Sequence, residues 1–243
     1  METFSTPCGP FSCFKNDQNF YIHLKQGSYW EMNLIMKLLK PYWEPAKVIL
    51  DIGAHIGSHS FIYSFFNREA KIYAFEPQTE IFKVLCENMQ TRGNVVCVNT
   101  CVGHTICNTS LSNYTHFGEN AEKEVCYGEG PIMNLGGMSL GTGGQSVPMI
   151  DIDSLHLDRC DFIKIDVEGA ESLVLMGAKE TLTKYKPSIC FEYCPTFDKQ
   201  KMAELFGLKE LPNPFDLLTE YGYGEFKQLE GENWLALPKV SNQ

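Results

Sequence analysis

Five acidic side chains stand where short apolar runs end, and that placement is the first sign of chemistry in this chain. Asp51 closes Val48-Ile-Leu, Glu76 closes Ile72-Tyr-Ala-Phe, Asp166 closes Phe162-Ile-Lys-Ile with Glu168 two residues on, and Glu192 closes Ser188-Ile-Cys-Phe. Short apolar runs bounded by turn residues read as buried strands. In an open α/β sheet the carboxyl ends of the strands border the ligand crevice. Carboxylates gathered there can act as a general base, orient a hydroxyl or hold a divalent cation such as Mg2+. Asp166 is the first choice for the catalytic carboxylate, with Glu168 and Glu192 in support; Asp166 and Glu192 are also the candidate metal ligands. Glu171 reads equally well as favourable charge at a helix amino terminus.

The run Asp51-Ile-Gly53-Ala54-His55-Ile-Gly57 lies between a strand pattern and a helix pattern. Its glycines let the backbone approach a ligand, and the helix amino terminus favours a polar or anionic group. Glu76, about 20 residues after the turn, can accept hydrogen bonds from ribose hydroxyls. A dinucleotide turn has glycine where Asp51 stands, so that pyrophosphate can rest on the helix end. A carboxylate there repels pyrophosphate but can help hold the cationic methionine end of S-adenosylmethionine, directly or through water. The predicted cofactor site is Asp51, Gly53, Ala54, His55, Gly57, Ser60, Glu76, Pro77 and Asp166, with Asn99, Thr100 and Cys101 near the adenine.

The elements needed to position these residues are legible as alternating patterns. Strands are predicted at 48–51, 71–75, 95–98, 162–166 and 188–193, and helices at 58–66, 79–89, 172–185 and 215–221. That alternation specifies a doubly wound, mostly parallel sheet. Residues 225–229 and 234–237 read as a terminal antiparallel pair. Residues 1–45 form an N-terminal segment with a short strand at 20–24 and a helix at 29–39. The main domain covers 46–240, with a long insertion at about 101–147 that is rich in Gly, Asn, Ser and Thr and reads as a loop. It is the expected builder of an acceptor pocket. Tyr114, His116, Phe117 and Tyr127 could stack on a sugar face or pack the loop down. Gly136-Gly-Met-Ser-Leu140 could bring backbone close to a ligand. His104 and His116 are possible bases, and His59 reads as a core or surface residue.

The chain resembles the FkbM family of methyltransferases. The likeness lies in Val48-Ile-Leu-Asp-Ile-Gly-Ala-His-Ile-Gly57, Ile72-Tyr-Ala-Phe-Glu-Pro77, Ile152-Asp-Ser-Leu155, Phe162-Ile-Lys-Ile-Asp-Val-Glu-Gly-Ala-Glu171, Val174-Leu-Met-Gly-Ala178 and Lys186-Pro-Ser-Ile-Cys-Phe-Glu192. It spans roughly Val48 to Tyr193. His55 departs from the asparagine of that pattern. The resemblance implies a Rossmann-like class I methyltransferase fold with a terminal antiparallel strand. It also implies O-methylation of a hydroxyl, on a sugar of a glycan or glycoside or on a non-sugar natural product.

Bulk properties narrow the field. The 243 residues are 44% hydrophobic and 21% charged, an ordinary globular mix. A formal charge of -10 with scattered basic residues argues against a nucleic-acid partner. An RNA ribose 2'-O-methyltransferase with a Lys-Asp-Lys-Glu tetrad could use Asp166 and Glu192, with Lys25 as a conceivable third member. A NAD-dependent oxidoreductase is disfavoured by Asp51, and a non-catalytic scaffold by the intact set of acids. Of the 10 cysteines, Cys97, Cys101 and Cys190 fall in apolar runs and read as buried thiols, whereas Cys8 and Cys13 could be exposed. With no signal-peptide pattern and no apolar run long enough for a bilayer, the chain reads as cytoplasmic, with a small-molecule or glycan acceptor and no membrane partner. Its oligomeric state is left open.

Overall fold

The computed structural model describes residues 1–117, 121–128 and 130–239, without the side chains of 114–117 and 121–124. The chain opens with an antiparallel hairpin, β1 (Glu2–Thr6) and β2 (Gly9–Cys13), followed by α1 (Gln18–Lys25), a π-helical stretch Leu34–Leu38 and α2 (Lys40–Trp43). Alternation begins with β3 (Val48–Ile52), α3 (Ser58–Phe66), β4 (Lys71–Phe75), α4 (Thr79–Met89) and β5 (Val95–Val98). An insertion carries β6 (Cys101–Val102), β7 (Cys107–Ser112), β8 (Tyr114–Phe117), β9 (Ala121–Glu124) and β10 (Gly143–Ile150). The chain then adds β11 (Phe162–Ile165), α5 (Glu171–Met176), α6 (Lys179–Tyr185), β12 (Ser188–Glu192), α7 (Lys199–Leu205), α8 (Pro214–Glu220), β13 (Tyr223–Gln228) and β14 (Asn233–Pro238).

The central sheet runs β13-β14-β12-β11-β3-β4-β5. The strands from β12 across to β5 are parallel, whereas β14 is antiparallel to both of its neighbours. The antiparallel strand is therefore inserted between β12 and β13, one place in from the edge. This is the strand order of the class I methyltransferase fold, as the sequence implied.

Each inner strand alternates between two buried faces. Ile49, Phe162, Cys190 and Leu235 join a core shared with Phe11, Trp43, Phe61 and Leu85. Leu50, Ile52, Ile163, Ile165 and Phe191 join a second core with Val174, Leu182 and Leu218. The first core shows what residues 1–45 do: they cover one face of the sheet. Phe11 meets Phe61 edge-on at 5.0 Å, and the Trp43 indole donates to the Ile35 carbonyl at 2.9 Å.

Three local expectations need correction. The predicted strand at 20–24 lies inside α1, because Phe20 and Leu24 are four residues apart and bury one side of a helix turn. The predicted helix at 29–39 widens into the π-helical stretch and breaks before α2. The insertion forms strands instead of a loop. β10 pairs with β6 in parallel and with β7 antiparallel, and β8 pairs with β9. β10 finds its partners 31 to 48 residues back in the sequence, so polar composition conceals those pairings. Cys8 and Cys13 are buried, like Cys101 and Cys190. No described helix is long and apolar enough to cross a membrane.

Candidate active site

β3 occupies the switch point of the sheet, with β4 on one side and β11 on the other. The turn after β3 lies directly on the end of β11. Asp166 N donates to Ile52 O at 3.0 Å, and a side chain at Gly53 (φ +78°) would meet the Asp166 carbonyl oxygen at 1.7 Å. Glycine is therefore what lets the two acidic motifs touch. A side chain at Gly57 (φ +90°) would strike Leu85 and Met89 of α4 at 2.6 Å. His55 itself has φ +51°. Asparagine and histidine are among the non-glycine residues that enter this region most readily, which gives the His55 departure a backbone reason.

A cavity opens between these turns, about 1120 Å³ counted out to its mouth. Gly53, Ala54, His55, Glu76, Pro77, Thr100 and Cys101 border one half, and Asp166, Glu168 and Glu192 border the other. The N-terminal segment contributes Phe20, Trp30 and Glu31, and the insertion contributes Asn134, Gly136, Met138 and Leu140. The glycine-containing 136–140 segment thus reaches the cavity through Gly136, Met138 and Leu140.

Four predicted cofactor residues do not border the cavity. Asp51 is fully buried, and its Oδ2 accepts from Ser60 N at 3.1 Å and Ser60 Oγ at 2.6 Å. It therefore braces the first turn of α3, where a carboxylate is favoured. Ser60 is the other half of that brace, and Gly57 is used in packing. Asn99 donates to the carbonyls of Glu76 at 2.8 Å and Pro77 at 3.1 Å, fixing the turn after β4. Glu76 accepts His55 N at 2.9 Å and Gln78 N at 2.8 Å. Burial outweighs those bonds and pushes its carboxyl up to about 7.

The opposite half is built around Lys164, to which sequence reasoning gave no role. It stands on β11 in register with Asp51 of β3 and Cys190 of β12, only 4% exposed. Its Nζ donates to Asp166 Oδ2 at 2.9 Å. Burial alone would favour the neutral amine, but Asp166, Asp51 and Glu31 reverse this and hold the ammonium well above its usual range. A lysine inside a wholly apolar strand requires such partners, and that was the available signal. Glu31 was also missed. Burial would raise it, yet His59 at 2.9 Å, Lys164 and Asn233 at 2.9 Å prevail and hold it down to about 2.

Oxygens of Asp166, Glu168 and Glu192 lie within 4.8 Å of one another. The Asp166 charge, then burial and Glu168, push Glu192 up to about 10. Burial, then Asp166, pushes Glu168 well above the carboxylate range. Like charges this close, with one lysine among them, cannot all ionise, so the group retains protons at neutral pH. Glu168 (φ +52°) and Gly169 (φ +94°) make the sharp turn that delivers the cluster. Glu171 accepts Gly169 N at 3.2 Å, is pushed up to about 7 by burial, and takes no place on the cavity wall.

A second pair escaped the sequence. Asp17 is fully buried, with Oδ2 3.4 Å from His55 Nε2, and the His55 ring nitrogens have no hydrogen-bond partner. Burial pushes Asp17 up to about 8 against the pull of the Leu135 N–H, and burial with the Lys164 charge drives His55 down to about 3. Near neutral pH this is a contact between two uncharged groups.

Other candidates are not brought to the site. Lys25 sits exposed on α1 with its Nζ over the Tyr21 ring, so it completes no tetrad. His104 packs edge-on to Phe206 at 5.3 Å. His59 lines the cavity but is 4% exposed and committed to Glu31 and to Tyr63 at 3.0 Å. Tyr127 donates to Gln78 at 3.0 Å behind the wall. The side chains of Tyr114, His116 and Phe117 lie outside the described residues.

A switch-point cavity with an acidic strand end on each side is the architecture of a class I methyltransferase. The chain belongs to the methyltransferase FkbM domain family, which matches residues 51–224. It is similar to the hexuronic acid methyltransferase AglP of Haloferax volcanii, 28% identical over 149 residues that cover 61% of this chain and 56% of that protein. It is also similar to the 2-O-methyltransferase NoeI of Sinorhizobium fredii, 25% identical over 206 residues, 81% and 82% of the two. Among solved structures, the methyltransferase FkbM of Methylobacillus flagellatus aligns with a TM-score of 0.49 at 14% identity, over 79% of this chain and 43% of that one. The chain spans about half the length of AglP and of the Methylobacillus protein.

The family implies S-adenosylmethionine, and the residues present fit it. Each Glu76 oxygen, already accepting one backbone N–H, keeps a further lone pair for a ribose hydroxyl. The unpartnered His55 ring stands in the same wall.

Proposed function

We propose that the chain transfers a methyl group from S-adenosylmethionine to a hydroxyl of a sugar in a glycan or glycoside. The observation that carries this reading is the Asp166–Glu168–Glu192 cluster facing Gly53 and Glu76 across one cavity. The two relatives, named for a hexuronic acid and for a 2-O position, point the same way. When bound, S-adenosylmethionine supplies a methyl carbon made electrophilic by its sulfonium. Gly53, Ala54, Pro77, Thr100 and Cys101 border the half of the cavity that would take it, with Glu76 toward the ribose. Asp166, held by Lys164, accepts the hydrogen bond of the acceptor hydroxyl and orients its lone pair. The hydroxyl proton passes to the carboxylate cluster, which titrates as a unit and takes up a proton at higher pH than an isolated carboxylate. The net charge of -10 disfavours RNA as the source of that hydroxyl.

Three carboxylates with oxygens within 4.8 Å also suit a divalent cation. In that second reading Asp166, Glu168 and Glu192 hold Mg2+, which would neutralise their mutual repulsion and polarise the hydroxyl. Transfer of labelled methyl to a panel of glycosides, with Mg2+ and with EDTA, tests both readings. Formation of an O-methyl ether supports the first, and its loss in EDTA with recovery on adding Mg2+ supports the second. Label appearing on nitrogen or carbon contradicts both.

A further inference from the structure

A second groove adjoins the cavity and carries exposed charge of its own. It is bordered by His23 and Trp30 on one wall and by Glu230 and Glu232 on the other, and it shares Trp30, Glu31 and Glu192 with the cavity itself. The two spaces therefore adjoin at these three residues, and Glu192 of the carboxylate cluster is one of them. Glu230 and Glu232 are exposed in the turn joining β13 to β14. That turn is tied to the end of β12 by Tyr193 N donating to Glu232 O at 2.9 Å, so the two acids are held at the mouth.

The opposite wall carries an aromatic cluster. The Trp30 ring meets the His23 ring edge-on at 5.1 Å and lies 6.5 Å from the Phe20 ring. An indole fixed in this way offers a surface for the C–H face of a sugar. Along the groove stand Glu230, Glu232, Glu31 and Glu192; Glu31 is engaged by His59 and Glu192 keeps its proton near neutral pH, so Glu230 and Glu232 carry the open charge, and among the described residues no lysine or arginine borders the groove. Lys164, in the cavity beyond, is already committed to Asp166. The Glu232 charge is close enough to act on Glu168.

We infer that this groove is the acceptor subsite, that it takes a glycoside with no negative charge, and that Glu230 and Glu232 are specificity-determining residues that reject a uronate. The inference rests on the sugar O-methylation reading above and adds the charge class of the sugar. A carboxylate entering the groove meets the exposed Glu230 and Glu232, with no lysine or arginine on the described lining to receive it, so it is repelled. A neutral or amino-bearing sugar meets no such barrier. On this account the acceptor differs in charge from what the name of the haloarchaeal relative specifies.

A matched pair of glycosides tests it: a hexoside and the hexuronide that differs from it only at C6. Binding is measured by titration and methyl transfer by label, each with and without Mg2+. The hexoside should be favoured in kcat/KM by about tenfold or more at low salt, and the gap should narrow as salt screens it. In the double variant Glu230→Gln, Glu232→Gln the ratio should fall toward one, a readout independent of how much of the variant folds. Equal or better use of the hexuronide by the native chain, in either metal condition, overturns the inference. Selective binding of the hexoside without methyl transfer upholds the groove assignment while overturning the transfer reading. No binding or transfer with either sugar overturns both.

Discussion

The two halves of the cavity use acids in opposite ways. On the β3–β4 side, Asp51 is engaged by the Ser60 amide and hydroxyl, and Glu76 by the amides of His55 and Gln78. On the β11–β12 side, Asp166, Glu168 and Glu192 crowd together with Lys164 as the cation within reach. Carboxylates supplied with donors hold backbone in place. Carboxylates crowded against one another keep protons to still higher pH and can exchange them. The contrast separates acids that shape the pocket from those proposed to do chemistry, although all five stand at the same edge of one sheet.

The comparison is broken most decisively by Asp166→Asn. The amide keeps a hydrogen-bond acceptor for Lys164 but removes the anion, and kcat should fall by about 10²–10⁴-fold, the usual worth of a positioned base. Unchanged affinity for S-adenosylmethionine by calorimetry, together with lost turnover, is the expected pair of results. Next in size is Asp51→Ala. It removes the α3 brace and a counter-charge of Lys164, and should destabilise the fold by about 2–4 kcal/mol in urea titrations. If Asp51→Ala instead left stability intact, the division between shaping and reacting acids would fail.

Glu192→Gln sharpens the contrast through pH. The folded-state carboxyl of Glu192 titrates at about 10 and that of the unfolded chain near its ordinary value, so folding takes up a proton between them. Stability on this account is fully present below the ordinary carboxylate range and is lost as pH rises toward 10. The variant should match the native Tm at pH 4 and exceed it increasingly up to pH 9. A Tm difference independent of pH would contradict the crowding argument. Asp17→Asn should show the smallest effect, a similar gain confined to the interval that ends near pH 8, because burial and not a neighbouring acid raises Asp17. Thermal scans of both variants from pH 4 to 9 distinguish the two windows.

Much of this was legible in the sequence because it is local. The five strand-closing acids, the glycine turn and the order of strands and helices all follow from apolar runs and the residues that end them. What was hidden depends on distant pairing. Asp17 and Glu31 become site residues because α1 and the stretch after it fold over the β3 turn, and no spacing records that. Within the insertion β10 pairs with β6 and β7 across tens of residues, so its glycines and serines looked like loop. Asp51 reads two ways in the sequence: its type matches a cofactor ligand, and its position near the end of β3 suits it equally to bracing α3, the contact the structure shows. Lys164 could have been found, since a charge inside Phe162-Ile-Lys-Ile165 demands a buried partner.

The most direct test follows a labelled methyl group from S-adenosylmethionine onto a neutral hexoside, comparing the native chain with Asp166→Asn at matched cofactor occupancy. The account predicts an O-methyl ether from the native chain and about one hundredth of that or less from the variant. An undiminished yield from Asp166→Asn would contradict it.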